Sequence, residues 1–310
     1  MNNGKVLVIT GPTASGKTAI ALEVAPGLRA EIVSLDSMQV YRGLDVGTAK
    51  PSAHERRSVP HHMIDVTDPA RPYTVASFQR AARAATGAIL LRGRIPLLAG
   101  GSGLYYRAVV DELEFPPTDP ALRSVISRGD PAELLARLRA RDPDAASRIE
   151  PGNVRRVVRA LEVIELTGRR FSEFRTAWDR YRSRYDLVAA GLRVPAEVLA
   201  RRIEDRVDAM FASGLVGEAR ALLDRGLRGA LTASRAISYP EVVSHLDGAT
   251  TLAESREQII RNTRRFARRQ MSWFRADPRV VWFDATQTRR AAAEIRAYYE
   301  REIARRMVGA

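Results

Sequence analysis

Cysteine is absent from all 310 residues of the chain. Disulfide staples, thiolate nucleophiles and cysteine-ligated zinc are therefore excluded. Lysine is nearly absent: of the 50 basic residues only Lys5, Lys17 and Lys50 are lysines, and the rest are arginine. Acidic residues number only 36, which leaves a formal net charge of +14. Such an excess points toward a polyanionic partner, because neutralising phosphates releases counterions. A well-solvated, arginine-rich surface would give the same total. Long apolar runs are missing too, and no stretch approaches the ~18 residues of a membrane-spanning helix. The first strand-like run begins at Val6, which leaves no room for a signal peptide ahead of it. A cytoplasmic protein without membrane attachment is expected.

What is present is organised around Gly11-Pro12-Thr13-Ala14-Ser15-Gly16-Lys17-Thr18, which follows Val6-Leu7-Val8-Ile9 and opens into Ala19-Ile20-Ala21-Leu22. This is G-x-x-x-x-G-K-[ST] between a buried-type strand and a helix, the context in which the motif binds phosphate. Its glycines let the backbone curl around a phosphate chain, with amides at the helix N-terminus aimed at the charge. Lys17 adds a point cation, and the Thr18 hydroxyl is placed to hold Mg²⁺ on the same phosphates. A lysine kept here in an arginine-rich chain argues that a compact ammonium is needed.

Residues 31–35 read as a second strand, running into Asp36. Loops at the carboxyl ends of parallel strands gather at the ligand, so Asp36 is expected beside whatever Lys17 holds. A carboxylate next to a phosphate is unfavourable unless it binds metal or takes a proton. The alternative is a helix cap or Asx turn. Residues 61–66 read as a third strand led by His61 and His62; neighbours on a strand face opposite ways, so they are expected to hydrogen-bond and not to share a metal. Residues 77–91 have helical periodicity. Ile95-Pro96-Leu97-Leu98-Ala99 is a further strand, running into Gly100-Gly101-Ser102-Gly103. An ordinary P-loop ATPase ends such a strand in a metal-holding Asp. Here the glycines are expected to admit a ligand close to the backbone, and Ser102 offers a hydroxyl.

Prolines around residues 115–120 mark a boundary. Amphipathic helices over 131–141, 153–167 and 172–180 follow, before strands return at 186–192 and 280–283. The expected division is a catalytic core of 1–115 and 186–310 with a helical insertion of 116–185. Arginines Arg155, Arg156 and Arg159 fall on adjoining helical positions, while Val154, Val157, Val158 and Leu161 are expected to supply apolar packing. A helix over 195–206 carries Arg201, Arg202 and Arg206. A later helix, 253–275, is expected to pack Ile260, Phe266, Met271 and Phe274 inward. Its outward side shows Arg261, Arg264, Arg265, Arg268 and Arg275 with few acids to balance them, which favours phosphate contact.

These segments resemble the tRNA dimethylallyltransferases, also called tRNA isopentenyltransferases. The matching residues are GPTASGKT (11–18), DSMQVYRGLDVGTAKP (36–51), HHMIDV (61–66), GGSGLY (100–105), RRVVRALE (155–162), RVDAM (206–210) and RQMSWFR (269–275). They run in the family's order along almost the whole chain. The resemblance implies an α/β, P-loop NTPase-like parallel sheet with an inserted all-helical domain that contacts tRNA. It implies transfer of a dimethylallyl group from its diphosphate to the N6 amine of the adenosine 3′ of the anticodon. Residues 11–18 and Arg206 would bind the diphosphate, and Asp36 would be the general base. Ser102 would be catalytic too, its hydroxyl standing where the family usually has Thr. Contacts to the anticodon stem-loop are implied for Asp36, Ser37, Met38, Gln39, Ser102, Arg155, Arg156, Val157, Val158, Arg159, Arg264, Arg265 and Arg268. Ser238-Tyr239-Pro240 departs from the family's Gly-Tyr pattern. The enzyme is expected to act as a monomer. A kinase on the same core would explain residues 11–18 but not residues 36–51 or the arginine-rich helix.

Overall fold

The computed structural model describes residues 4–150, 152–175 and 180–308. Its six strands are β1 (Lys5–Thr10), β2 (Ala30–Ser34), β3 (His61–His62), β4 (Ile95–Gly100), β5 (Asp186–Arg193) and β6 (Val280–Asp284). They pair entirely in parallel, in the order β3-β2-β4-β1-β5-β6. Strands covered on both faces read as unbroken apolar runs because alternate residues enter different cores. Val6 and Val8 of β1 point into one core, with the helices Val75–Leu91, Gly103–Val110, Ala196–Ala212 and Leu252–Arg275. Leu7 and Ile9 enter the other, against the helices Lys17–Gly27 and Thr288–Val308. This is the P-loop NTPase-like α/β sheet, and the loops after β1, β2 and β4 leave from its carboxyl edge.

Two compact units make up the chain, Met1–Val110 with Ser183–Ala310, and Asp111–Arg182. The sheet lies in the first. The second is all helical, with its own core of Ile126, Leu134, Leu138, Leu161 and Ile164 among others. Three of its helices start with the same device. Asp119, Asp130 and Asp142 each precede a proline and accept hydrogen bonds from the first-turn amides. Aspartate satisfies orphan donors there, and the proline's missing N–H costs nothing at the first helical position. Glu162 is fully buried in this unit. Burial acts to raise its pKa, but hydrogen bonds from Arg159, the Asp119 amide and Arg123 outweigh it and hold the carboxyl below its usual range.

Several expectations change. The third strand stops at His62, because Met63 (φ 65°) and Asp65 (φ 57°) turn left-handed. His61 Nδ1 bonds the Val59 carbonyl at 2.7 Å, and His62 Nε2 bonds Glu31 at 2.7 Å. The helix expected over 172–180 is, among the described residues, a 3₁₀ turn at Phe171–Arg175, and residues 176–179 lie outside the described ones. In Leu252–Arg275, Ile260 and Phe274 are core residues, whereas Phe266 and Met271 are only half-buried. The buried face runs instead through Ile259, Thr263, Ala267 and Gln270. Among the described residues no helix is long and apolar enough to cross a membrane.

Ser238 holds φ 92° while almost wholly buried. An L-residue with φ > 0 meets its own Cβ, at a cost of about 1–2 kcal/mol. Its hydroxyl lies 4.0 Å from the Met210 sulfur, and its backbone amide donates to Glu241 at 2.9 Å. Ser238→Gly should therefore raise unfolding stability by about 1 kcal/mol. Urea melts of the two proteins check this, and an unchanged or lower midpoint for the glycine variant would contradict it.

Candidate active site

Gly16, at φ 91°, makes the left-handed step that starts the Lys17–Gly27 helix. Behind it the Ser15 hydroxyl is fully buried and has no hydrogen-bond partner. The Lys17 ammonium donates to the Pro12 carbonyl at 2.6 Å. Burial first, and the nearby Arg206 guanidinium second, pull the Lys17 pKa down to about 7, against an opposing pull from Asp36. Burial lowers the Arg206 pKa as well, again opposed by Asp36. Two half-buried cations and one carboxylate thus converge on the phosphate loop. Such a site carries surplus positive charge that a bound anion would neutralise.

Asp36 makes the Asx turn considered for it and keeps one oxygen out of that turn. Its Oδ1 accepts from the Met38 amide at 2.8 Å and the Gln39 amide at 3.3 Å, an Asx turn. Among the described residues its Oδ2 has no hydrogen-bond partner. One oxygen therefore fixes the loop while the other remains available to a substrate proton. Arg206 comes from the Ala196–Ala212 helix and donates to the Thr48 carbonyl at 3.3 Å. It also borders a cavity of about 430 Å³ lined by Val46, Ala49, Lys50 and Met210. Lys50 is not a free cation there. Its ammonium bonds the Tyr41 carbonyl, Asp45 and Asp65.

The glycines after β4 serve the protein's own packing, which corrects the expectation that they admit a ligand. A Cβ on Gly100 would sit 2.6 Å from the Leu35 Cβ, and one on Gly103 would sit 2.9 Å from the Trp273 Cβ. At Gly101 the space is taken by the Gln270 amide. Gln270, nearly buried, also accepts from the Thr13 amide at 2.7 Å, tying the arginine-rich helix to the phosphate loop. The Ser102 hydroxyl faces the Tyr105 amide at 3.5 Å, a long helix-start contact that leaves it open to another partner.

The residues expected to meet RNA divide sharply. Ser37 and Met38 are half-buried beside Asp36. The Gln39 side chain is turned inward, accepting from the Ser34 hydroxyl at 2.9 Å and reaching the Thr48 carbonyl at 3.4 Å. Arg155 and Arg156 are exposed. Val157 (1% exposed) and Val158 (3%) are core residues of the helical unit, so their assignment to RNA is corrected. On an amphipathic helix the arginines and valines of RRVVR must face opposite ways. Arg159 is tied to Glu162 and to the Pro116 and Pro117 carbonyls. Arg264 pairs with Glu204. Arg265 and Arg268 are exposed and, among the described residues, have no ion-pair partner. Trp273, 47% exposed on the same helix, offers an aromatic face that sequence reasoning did not single out.

Also missed was Glu218. Its carboxylate accepts from the amides of Asp45 (3.0 Å), Val46 (2.8 Å) and Gly47 (3.1 Å) and from the Tyr239 hydroxyl (2.7 Å). Nothing local in the sequence signals this, because its partners lie more than twenty and more than 170 residues away.

Known proteins match the chain along most of its length. A family model described as IPP transferase matches residues 39–277, and one described as isopentenyl transferase matches residues 4–67. A tRNA dimethylallyltransferase of Salinispora arenicola is 51% identical over 95% of this chain and 86% of its own length. One from Streptomyces coelicolor is 50% identical over 90% of this chain and 89% of its own. Among solved structures, a full-length tRNA isopentenylpyrophosphate transferase from Bacillus halodurans superimposes with a TM-score of 0.73 at 41% identity, covering 97% of each chain. A eukaryotic dimethylallyltransferase acting on tRNA gives a TM-score of 0.80 at 27% identity, over 92% of this chain and 74% of that one. With these matches spanning both the phosphate loop and the arginine-rich helix, the chain belongs to the IPP transferase family, the tRNA dimethylallyltransferases.

Proposed function

We propose that the protein transfers the dimethylallyl group of dimethylallyl diphosphate to the N6 amine of the adenosine 3′-adjacent to the tRNA anticodon, releasing diphosphate. The observation that carries this reading is the convergence of half-buried Lys17 and Arg206 on the phosphate loop beside the unshared Asp36 oxygen. The cations receive the diphosphate, with the amides of residues 11–18 around it. The adenine amine is a weak nucleophile, its lone pair delocalised into the ring, so it must be aligned with the allylic carbon. Its nitrogen forms the new bond to C1 as the C1–oxygen bond breaks. The electron pair leaves with diphosphate, stabilised by Lys17 and Arg206, and the proton passes to Asp36. The base must leave its stack to enter such a site, which is easiest in a single-stranded loop. Ser37, Met38 and the Ser102 hydroxyl border that site. Arg265, Arg268 and Trp273 on one unit, and Arg155 and Arg156 on the other, supply phosphate and stacking contacts.

Mg²⁺ fits the residues present. Among the described residues no cluster of three acidic or histidine side chains forms a protein cage. The exposed Thr18 hydroxyl at the first helical turn suits an ion held mainly by water and phosphate oxygens. When bound, the ion would neutralise charge on the diphosphate. A single chain supplies every group named, and tRNA as substrate fits work in the cytoplasm. The test is to incubate the protein with dimethylallyl diphosphate and unmodified tRNA, then weigh the nucleosides. Dimethylallyl adenosine is the expected product, and phosphoryl transfer from ATP without it would overturn the reading.

The Lys17 pKa of about 7 gives a further expectation. A bound anion favours the charged ammonium and raises that pKa, so binding above pH 7 must take up a proton. Pyrophosphate affinity should weaken as pH climbs from 7 to 9, by up to about tenfold per unit. Calorimetry at pH 8 in two buffers of different ionisation enthalpy should show an uptake of nearly one proton. Heats independent of buffer would count against a depressed Lys17.

A further inference from the structure

Glu218 is a carboxylate that gathers one loop and the Tyr239 hydroxyl, and the loop touches both halves of the reaction. Its two oxygens accept three successive amides, those of residues 45, 46 and 47, and the Tyr239 hydroxyl. Three consecutive N–H groups turned to one point form an anion-binding nest, here filled by the protein itself. The Tyr239 ring lies against Gly47 so closely that a Cβ there would come within 2.6 Å of it. Burial, and then the neighbouring Glu218 charge, raise the Tyr239 pKa far above the usual phenol range, so it stays a donor.

The next residue, Thr48, is the link. Its carbonyl accepts from the Arg206 guanidinium at 3.3 Å and faces the Gln39 amide at 3.4 Å. Gln39 is in turn anchored to Ser34, and its backbone amide is held by Asp36. A single peptide carbonyl therefore stands between the leaving-group cation and the turn that carries the base. We propose that Glu218, with Tyr239, is a positioning residue: it fixes the loop at residues 45–48 so that Arg206 is held over the phosphate loop at a set distance from Asp36. The inference deepens the proposed transferase reading and rests on it.

Glu218→Gln is the direct test. Glutamine keeps the shape but turns an N–H₂ toward backbone N–H donors, leaving at least one of them unpaired. The pyrophosphate dissociation constant should rise roughly 10–100-fold, and the KM for dimethylallyl diphosphate should rise with it. Affinity for tRNA should stay within about threefold, since no RNA-facing group has moved. A fold-wide defect would not produce the second expected signature. With Arg206 released, one cause of the depressed Lys17 pKa is gone, so the pH midpoint of pyrophosphate binding should move upward from about 7. Tyr239→Phe removes one of the four donors and should shift pyrophosphate binding the same way by roughly 2–5-fold. Wild-type pyrophosphate affinity and an unmoved pH midpoint in Glu218→Gln would overturn the proposal. Equal losses of pyrophosphate and tRNA binding would overturn it too, as the mark of general unfolding. If the wild-type protein failed to modify tRNA while Glu218→Gln still weakened pyrophosphate, the transferase reading alone would fall.

Discussion

Asp36→Asn should lower the single-turnover rate of prenyl transfer by about 10²–10⁴-fold, the range for a positioned acid–base group. The substitution is unusually clean here. The Asx turn uses Oδ1 as an acceptor from the Met38 and Gln39 amides, and an asparagine carbonyl accepts those bonds equally well. The loop should keep its shape, and tRNA affinity should remain within several-fold. What is lost is the second oxygen as a proton acceptor. If turn-making were the residue's whole task, rate and affinity would both survive. A metal-holding role would appear as a defect that excess Mg²⁺ partly restores. Rates at saturating tRNA across a Mg²⁺ series separate the three, and a rate within threefold of wild type would exclude Asp36 as the base.

Removing either cation of the phosphate loop is the other large expected effect. Lys17→Ala and Arg206→Ala should each cost about 2–4 kcal/mol of transition-state stabilisation, or roughly 30–1000-fold in rate. The two variants should differ in one respect. Arg206→Ala removes a charge that depresses Lys17, so the remaining ammonium should titrate higher and the pH dependence of pyrophosphate binding should shift upward. Lys17→Ala should lose the part of that dependence its ammonium contributes, leaving only the titration of pyrophosphate itself. Measuring pyrophosphate affinity from pH 6.5 to 9 for both variants checks the pair. Full activity in Lys17→Ala would remove the basis for placing diphosphate in the loop.

The residues proposed to carry the chemistry stand out in the sequence because their signals are local. The phosphate loop is eight contiguous residues in a strand-to-helix junction, and Asp36 follows an apolar strand into a turn of its own making. The sheet was legible for the same reason, apart from β3, where two left-handed residues cut short a run that looks extended in one dimension. Tertiary facts were not legible. Val157 and Val158 are the instructive exception: the helix period already reads them as packing residues, and only the resemblance assigned them to RNA. The glycines of residues 100–103 look like ligand space until Leu35, Gln270 and Trp273 are seen to occupy it. Glu218 has no motif at all. Its importance exists only once residues 45–47 are folded against it.

Gln270 gives the helix Leu252–Arg275 a second identity, that of a ruler. One end of the measurement is the Thr13 amide, which Gln270 grips; the other is the exposed arginine row. At 1.5 Å of rise per residue, Arg265 sits roughly 7.5 Å along the axis from that grip. Whatever rests on the arginines is thereby indexed to the phosphate loop by rigid helix and not by flexible chain. Inserting one residue between Arg265 and Gln270 would swing every upstream arginine about 100° around the axis, while leaving the composition, the charge and the loop's own sequence intact.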